Sequence, residues 1–266
     1  MSSFSGSLQS MTTGLDTKNY AQYSLSLNED KVDFNSLIGQ TLEIRFLGKI
    51  SCVSCQKKIK KTYNSGYCYP CFFSLARNDM CIVKPELCHF HRGTCREPEW
   101  GEKNCFIDHI IYLSNTSGLK VGITRSYRKI QRWIDQGASQ GLAILKVKKR
   151  LDAGKVEVVL KEHMNDKTNW RKMLKGKPER QDLESKKKEV LKNLEGLKLD
   201  FEVLDEKPYD IYFPHTTVLD KVSSLSLDKT PEIKSKLIGI KAQYLIFSDG
   251  VFNVRKFSGY HVKIAV

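Results

Sequence analysis

The chain has 266 residues, which is enough for one large domain or for two or three small ones. Its 44 lysines and arginines exceed its 30 aspartates and glutamates, giving a formal net charge of +14. Such an excess favours a polyanionic partner, and nucleic acid is the commonest one in the cytoplasm. A lysine-rich surface that only keeps the protein soluble explains the charge equally well.

The compartment is predicted from what the sequence lacks. No apolar run approaches the roughly 18 residues that a transmembrane helix needs, so no membrane partner is expected. The serine-rich start "MSSFSGSLQSMTTG" has neither the basic nor the apolar region of a secretory signal. These features predict a cytoplasmic protein whose eight cysteines stay reduced, and clustered reduced thiols usually bind metal.

Four segments are predicted along the chain: residues 1–48 as an N-terminal β segment, 49–108 as a cysteine-rich zinc-binding region, 109–175 as an α/β domain, and 176–266 as a helix plus a C-terminal β segment. In the first segment, Leu42, Ile44 and Phe46 alternate with polar residues, which is typical of a strand. Only the first twenty or so residues are expected to be disordered.

The first cysteine set lies in "CVSCQKKIKKTYNSGYCYPC". Cys52 and Cys55 are separated by two residues, and Cys68 and Cys71 repeat that spacing after a further twelve. Two such pairs supply the four thiolates of a tetrahedral Zn²⁺ site, whereas a redox-active protein normally has a single pair. A shell of four cysteines leaves no open position, so this zinc is predicted to be structural.

The second cysteine set, in "CIVKPELCHFHRGTCREPEWGEKNC", is less regular. Four thiols within 25 residues predict a second Zn²⁺ site, in which His89 or His91 could replace one cysteine. The alternative is that some of these thiols fill a small core, where cysteine behaves as an apolar residue. The predicted ligands are Cys81, Cys88, Cys95 and Cys105.

The third segment has the pattern of a compact α/β unit. It reads strand ("HIIYLS"), turn ("NTSG"), strand ("LKVGIT"), helix, strand ("GLAILKVKK") and helix ("AGKVEVVLKEHM"). The strands "IIY" and "KVG", followed by a helix carrying "RW", resemble the GIY-YIG nuclease superfamily over about sixty residues. The residues that correspond to the catalytic positions of that superfamily are Tyr112, Lys120, Arg132 and Glu157.

The resemblance implies a role for each of these side chains. Glu157 would hold Mg²⁺ or Mn²⁺, and Arg132 would clamp a nonbridging phosphate oxygen. Tyr112 would act as the general base or orient the attacking water, with Lys120 lowering the pKa of the tyrosine. The sequence departs from the superfamily pattern where Ile110 replaces a glycine and Lys120 replaces a tyrosine, and these departures bear on activity more than on fold.

Across its whole length the chain also resembles an uncharacterised bacterial family labelled only as a domain of unknown function. The resemblance is carried by "GYCYPC", "KPELCHFHRGTCREPEWGEKNC", "KVGITR", "RWIDQGA", "DKTNWRKMLKG" and "GIKAQYLIF". It implies that "RWIDQGA" and "DKTNWRKML" belong to one site. Their polar and aromatic residues, including Asp166, suit contacts to phosphates and bases. At least one of Trp133 and Trp170 is expected to be a core residue.

The last segment begins with a charged helix. Leu183, Val190, Leu191 and Leu194 lie on one face of this helix. The runs "KAQYLIF" and "VFNVRKF" then flank a turn at Ser248 to Gly250, which predicts a hairpin. With the N-terminal strands, this hairpin is expected to form an antiparallel sheet or barrel.

The predicted fold class is therefore α+β, with a zinc-ribbon-like region, a GIY-YIG-like α/β domain and β-rich ends. The predicted function is that of a zinc-stabilised nucleic-acid-binding protein acting as a divalent-metal-dependent endonuclease on DNA or RNA. The alternatives are a non-catalytic DNA- or RNA-binding module on a nuclease-derived scaffold, or a protein-interaction adaptor. A catalytic site requires that Tyr112, Lys120, Arg132 and Glu157 converge.

Overall fold

The computed structural model describes residues 2–164, 167–217, 219 and 221–266. Its architecture is mixed α+β, with antiparallel sheets and few helices, as predicted. The strands are β1 (Ser3–Ser7), β2 (Thr12–Leu15), β3 (Ala21–Leu27), β4 (Asp30–Asp33), β5 (Thr41–Ser51), β6 (Lys58–Ile59), β7 (His109–Asn115), β8 (Leu119–Arg125), β9 (Gln140–Val147), β10 (Glu202–Val203), β11 (Tyr209–Asp210), β12 (Glu232–Lys241), β13 (Tyr244–Phe247), β14 (Gly250–Asn253) and β15 (Tyr260–Ala265). The helices are α1 (Tyr69–Ser74), α2 (Met80–Val83), α3 (Pro98–Cys105), α4 (Lys129–Asp135), α5 (Arg150–Lys161), α6 (Trp170–Leu174) and α7 (Leu183–Lys192).

The chain divides into two compact units. Unit 1 comprises Met1–Phe73, Leu174–Gly176 and Tyr212–Val266, and unit 2 comprises Ser74–Met173 and Lys177–Ile211. Each unit is assembled from stretches that are distant in sequence. The four consecutive segments inferred from the sequence stay a prediction.

Unit 1 is built on a seven-stranded antiparallel sheet. Its strand order is β1-β15-β5-β12-β13-β14, with β6 pairing with β5, so strands from both ends of the chain share it, as predicted. In β5, the side chains of Leu42 and Ile44 are buried, whereas Arg45 faces solvent and pairs with Glu232 of β12. Successive side chains of a strand point to opposite faces, so this alternation buries one face of the sheet and exposes the other. A smaller sheet of order β2-β3-β4 lies in the same unit.

Two local predictions for unit 1 are wrong. The first twenty residues are not disordered: β1 pairs with β15, and Leu8 and Met11 are buried. The run "VFNVRKF" is a strand only as far as Asn253, whose side chain accepts a hydrogen bond from the Lys256 backbone N–H and so starts a helical turn. The predicted hairpin is confirmed, because β13 and β14 pair across Ser248 and Asp249.

Unit 2 contains the strand and helix order predicted for the third segment. Its sheet has the order β10-β9-β7-β8, with β11 also pairing with β9, and β7 is buried along its whole length. Helices α5 and α7 contribute apolar side chains to the core beside this sheet. Of the residues predicted on the apolar face of this helix, Leu183 and Val190 of α7 are buried and Leu191 is partly buried, while Leu194 is buried just after the helix ends.

A glycine in the middle of α5 lets another segment of unit 2 approach the helix. A Cβ atom at Gly154 would lie 2.3 Å from the backbone nitrogen of Glu86 and 2.5 Å from the carbonyl carbon of Pro85. Both neighbours are backbone atoms and cannot rotate away. Gly154 therefore fixes where the cysteine-rich segment rests on α5.

We expect Gly154→Ala to lower the free energy of unfolding by about 1–2 kcal/mol. Alanine is normally favoured over glycine inside a helix by about 1 kcal/mol, but overpacking typically costs about 1–3 kcal/mol and should prevail here. Urea denaturation of the full chain measures the effect. Gly14→Ala, at a position with no atom within 4 Å of the added Cβ, is the control. A Gly154→Ala protein as stable as the wild type would contradict this packing.

Candidate functional site

The first cysteine set forms a compact cluster in unit 1. The Sγ atoms of Cys52, Cys55, Cys68 and Cys71 all lie within 4.8 Å of one another, and those of Cys55 and Cys68 are 3.7 Å apart. A Zn–S bond of about 2.3 Å gives a sulfur tetrahedron with edges of about 3.8 Å. All four are free thiols. The cluster can therefore hold a metal ion such as zinc.

The first cysteine pair of this cluster lies on a hairpin turn. Strands β5 and β6 pair antiparallel, and Cys52 follows directly after β5. The Cys52 N–H donates to the Lys57 carbonyl at 2.9 Å, and the Gln56 N–H donates to the Cys52 carbonyl at 2.9 Å. Gln56 adopts a left-handed conformation with φ of 61°, which closes the turn. The turn brings Cys55 back towards Cys52.

The second cysteine pair lies at the start of α1. The Cys68 N–H donates to the Cys52 sulfur at 3.2 Å, which joins the two pairs directly. Gly66, with φ of 124°, accepts a hydrogen bond from the Val53 N–H at 2.9 Å. A Cβ atom at Gly66 would lie 2.6 Å from a Val53 methyl carbon, so only glycine fits here. The two turns thus pack against each other through backbone contacts.

The thiols of this cluster differ in acidity. Burial raises the pKa of Cys52, but hydrogen bonds from the backbone of Cys55, Cys68 and Ser54 outweigh it and lower the pKa to about 6. The pKa of Cys71 is raised to about 12 by its hydrogen bond with Cys68, by burial and by the nearby Cys52 charge. The negative charge of one thiolate therefore disfavours ionisation of the next. A bound cation would offset this repulsion, which matches the chemistry of a four-thiolate metal site.

The second cysteine set surrounds a small cavity in unit 2. The cavity has a volume of about 10 Å³, near the lower limit for holding one water molecule, so it could hold at most one small ion. Ligand atoms of Asp79, Cys81 and His89 lie within 4.8 Å of one another, whereas His91 is solvent-exposed. The potential ligands that line the cavity are Asp79, Cys81, Cys88, His89, Cys95 and Cys105.

Asp79 and His89 already have partners in this cluster. The Asp79 carboxylate accepts a hydrogen bond from the Cys81 N–H at 3.0 Å and pairs with Arg96 at 2.7 Å. His89 Nδ1 is 2.7 Å from the Thr94 hydroxyl. Among the described residues, Asp79, Cys81 and His89 are thus the group whose ligand atoms converge here, and Cys81, Cys88, Cys95 and Cys105 as the ligand set stay a prediction.

A buried arginine lies beside the second cysteine set. Arg150, at the start of α5, is 8% exposed and donates to the carbonyl oxygens of Ile82 and Cys81 at 2.7 and 3.3 Å. Burial lowers its pKa, and the anionic groups that counteract this are the thiols of Cys105, Cys81 and Cys88. The Arg150 charge favours the ionised form of Cys105, but burial outweighs this effect and raises the pKa of Cys105 to about 11 and that of Cys81 to about 12. Sequence reasoning missed Arg150, because nothing local distinguishes it from a surface arginine that begins a helix.

The four residues predicted to be catalytic lie on β7, β8, α4 and α5 of unit 2. In the β7–β8 register, Tyr112 is opposite Gly122 and Ser114 is opposite Lys120, so Tyr112 and Lys120 share one face of the sheet. A Cβ atom at position 122 would lie 2.6 Å from the Tyr112 hydroxyl oxygen. Gly122 is therefore required for the tyrosine ring to lie flat across β8.

Three of the four predicted catalytic side chains interact with one another. The Tyr112 hydroxyl donates to Gln136 Oε1 at 3.0 Å and also forms a hydrogen bond with Arg132. Glu157 is 8% exposed, interacts electrostatically with Tyr112 and Arg132, and lies 3.4 Å from Lys161 Nζ. Arg132 is exposed as a whole residue, but its guanidinium is desolvated where it contacts Tyr112. The Glu157 carboxylate therefore faces this cluster rather than bulk water.

The expectation of a lowered Tyr112 pKa is wrong. The ring is fully buried, and burial raises the pKa of Tyr112 despite the adjacent Arg132 charge. A phenol that holds its proton is a poor general base at neutral pH. Tyr112 is better suited to holding Arg132 and Gln136 in place. Gln136 lies one helical turn after Arg132, within the segment "RWIDQGA" that is predicted to belong to a site, but its contact with Tyr112 was not predicted.

The segments "RWIDQGA" and "DKTNWRKML" lie next to each other. A Cβ atom at Gly137 would lie 2.5 Å from the Met173 sulfur, and the Asn169 N–H donates to the Ser117 hydroxyl at 2.9 Å. Trp133 is fully buried, as expected of a core residue, whereas Trp170 is half-buried with the Arg171 guanidinium 4.3 Å from its ring centroid. Asp166 lies outside the described residues.

No helix in the part of the chain that the structure describes is both long and apolar enough to cross a bilayer. Comparison of the chain with curated proteins and with solved structures finds no match. One family model matches residues 39–262, which is most of the chain. The chain therefore belongs to the family described as "Protein of unknown function (DUF2797)".

Proposed function

We propose that this chain is a zinc-stabilised nucleic-acid-binding protein whose unit 2 is a divalent-metal-dependent endonuclease of the GIY-YIG type. The observation that carries the proposal is the mutual interaction of Tyr112, Arg132 and Glu157 on a strand, strand, helix, strand, helix frame. The net charge of +14 supports a polyanionic substrate.

Glu157 is the residue that would hold the divalent cation. Mg²⁺ is usually bound by one or two carboxylates together with substrate phosphates, and a single buried carboxylate beside an arginine fits that pattern. When bound, the cation would polarise the phosphodiester and lower the pKa of the attacking water. Lys161 Nζ lies 3.4 Å from this carboxylate.

The remaining residues of the site would bind and orient the phosphate. The guanidinium of Arg132, which already forms a hydrogen bond with Tyr112, would direct its remaining N–H groups at a nonbridging phosphate oxygen. Tyr112 and Gln136 would fix its direction from the buried side. Lys120 lies on the same sheet face as Tyr112, at the position where the superfamily pattern has its second tyrosine, and would add positive charge there.

Both cysteine sets are proposed to hold structural Zn²⁺. In unit 1 the ligands would be Cys52, Cys55, Cys68 and Cys71, whose sulfur spacing fits a tetrahedral shell. In unit 2 the cavity could hold at most one small ion, and the buried Arg150 would balance part of the negative charge of a four-thiolate centre. The ligands there would be Cys81, Cys88, Cys95 and Cys105.

A non-catalytic nucleic-acid-binding module is the second candidate function. The complete burial and raised pKa of Tyr112 favour it, because a site without a proton acceptor could keep the nuclease frame only as a scaffold. In this alternative, the basic surface and the cysteine centres would bind DNA or RNA without cutting it.

The two candidates are separated by incubating the full chain with labelled DNA and RNA, both single- and double-stranded, in Mg²⁺ or Mn²⁺. Glu157→Ala is expected to reduce cleavage by at least about 10²-fold, because it removes the only charged group proposed to hold the cation. Glu162→Ala, at an exposed carboxylate directly after α5, is the matched control. Binding without cleavage by all three proteins would overturn the enzyme and favour the module.

A further inference from the structure

Aromatic rings cover the surface beside the first cysteine cluster. The side chains of Tyr69 and Phe73 are 58% and 66% exposed, and their ring centroids are 6.3 Å apart in a stacked arrangement. Tyr63 extends the group, with its centroid 5.5 Å from that of Tyr69 and 5.8 Å from that of Phe72. We call these four rings the knuckle face. Contiguous exposed apolar surface of this kind marks an interaction site.

The hairpin next to the knuckle face carries a run of positive charge. Lys61 Nζ lies 5.5 Å from the Tyr63 ring centroid. No aspartate or glutamate occurs in the sequence between Glu43 and Asp79. A four-thiolate zinc centre would carry a net charge of about −2, and the four exposed lysines beside it outweigh that negative charge. The exposed lysines of this hairpin are Lys57, Lys58, Lys60 and Lys61.

The knuckle face is held rigidly by the cysteine cluster. Tyr69 lies between Cys68 and Cys71, and Phe73 lies one helical turn further along α1, so both rings project from the same side of the helix. The Cys68 N–H is in turn bonded to the Cys52 sulfur. A partner that stacks on these rings therefore meets a surface that is already ordered, which limits the entropic cost of binding.

We propose that the knuckle face binds single-stranded nucleic acid. Unpaired bases would stack on Tyr69 and Phe73, while the lysines of the hairpin contact the phosphates. Exposed aromatic rings beside lysines are how proteins bind single strands without sequence preference, since every base has a face to stack. A duplex hides these base faces and would gain only the phosphate contacts. The proposal deepens the nucleic-acid-binding part of the proposed function and does not depend on cleavage.

The test is fluorescence anisotropy with a labelled oligothymidylate, in a Glu157→Ala background without added Mg²⁺ or Mn²⁺, so that no cleavage interferes. Tyr69→Ala/Phe73→Ala is expected to weaken binding by at least about 10-fold, because each stacked base contributes appreciably to affinity. Tyr69→Phe keeps the ring and should bind as the wild type does. Tyr20→Ala, at a 46% exposed tyrosine elsewhere in unit 1, is the control.

Salt dependence separates the lysines from the rings. Lys60→Glu/Lys61→Glu should reduce the slope of log affinity against log salt by about 0.7 for each phosphate that is no longer neutralised, whereas the ring variant should keep the slope. Zinc content is measured for each variant. If the double ring variant does not retain zinc, Phe73→Ala alone serves in its place, since Phe73 lies two residues beyond Cys71, the last cysteine of the first cluster.

A zinc-loaded ring variant that binds the single strand as tightly as the wild type would overturn the proposal and leave the knuckle face to a protein partner. Equal affinity of the wild type for duplex and single strand would also overturn it. Failure of the endonuclease proposal would give a different result. The protein would then bind the oligonucleotide with the expected dependence on Tyr69 and Phe73 but would not cleave it in Mg²⁺ or Mn²⁺.

Discussion

Replacing Cys52 and Cys68 by serine is expected to remove one metal ion per chain and to unfold the turns of unit 1 that carry the first cysteine cluster. Both thiols are buried, and the sulfur of Cys52 accepts the Cys68 N–H that joins the two pairs. Structural zinc contributes about 10 kcal/mol or more to small zinc-binding domains at neutral pH, which is comparable to the whole stability of a typical domain. Metal analysis and limited proteolysis of the purified variant measure the two effects.

Two control variants test whether the metal ion is lost from the first cysteine cluster alone. Ser54→Ala changes an exposed side chain in the same turn and should retain full metal content. Cys88→Ser/Cys105→Ser should lose the ion of unit 2 while leaving the turns of unit 1 resistant to protease. Wild-type protein is expected to hold two ions per chain. Less than one ion per chain in the wild type, or full metal content in the Cys52→Ser/Cys68→Ser protein, would contradict the metal assignment.

Arg132→Ala is expected to lower the rate of phosphodiester cleavage by about 10²–10³-fold, the usual effect of removing one donor that stabilises transition-state charge. Arg132→Lys should restore only part of the rate, because an ammonium group keeps the charge but lacks the planar fork of a guanidinium. Single-turnover kinetics with protein in excess measure the chemical step rather than binding.

The control for Arg132 is Arg128→Ala, which removes a half-exposed arginine one turn earlier that lies 4.0 Å from Asp135. This variant should cleave as the wild type does. A rate for Arg132→Ala equal to that of the wild type, at equal substrate affinity, would show that the guanidinium is only a partner of Tyr112.

Features set by neighbours in sequence could be predicted. The paired spacing of Cys52, Cys55, Cys68 and Cys71 brings the thiols together through two short turns, so the cluster follows from local geometry. The helix end near Gly137 is equally local, because α4 ends at Asp135 and the glycine takes the left-handed conformation with φ of 70°. The apolar face of α7 follows from helical periodicity alone.

Features set by distant parts of the chain could not be predicted. The order in residues 3–7 comes from pairing with β15, more than 250 residues away. The raised Tyr112 pKa depends on burial by surrounding elements, which strand periodicity does not reveal. Similarly, Gly154 and Arg150 look like ordinary helix residues until Pro85, Glu86 and the second cysteine set pack against them.

The proposal that Glu157 holds a catalytic cation is tested most directly by the cleavage rate as a function of Mg²⁺ concentration, measured for wild type and Glu157→Gln in parallel. Glutamine keeps the size of the side chain and removes its charge. The wild-type rate is expected to rise and saturate with Mg²⁺, while the Glu157→Gln rate stays near background at unchanged oligonucleotide affinity. Equal, Mg²⁺-dependent rates in both proteins would contradict the proposed site.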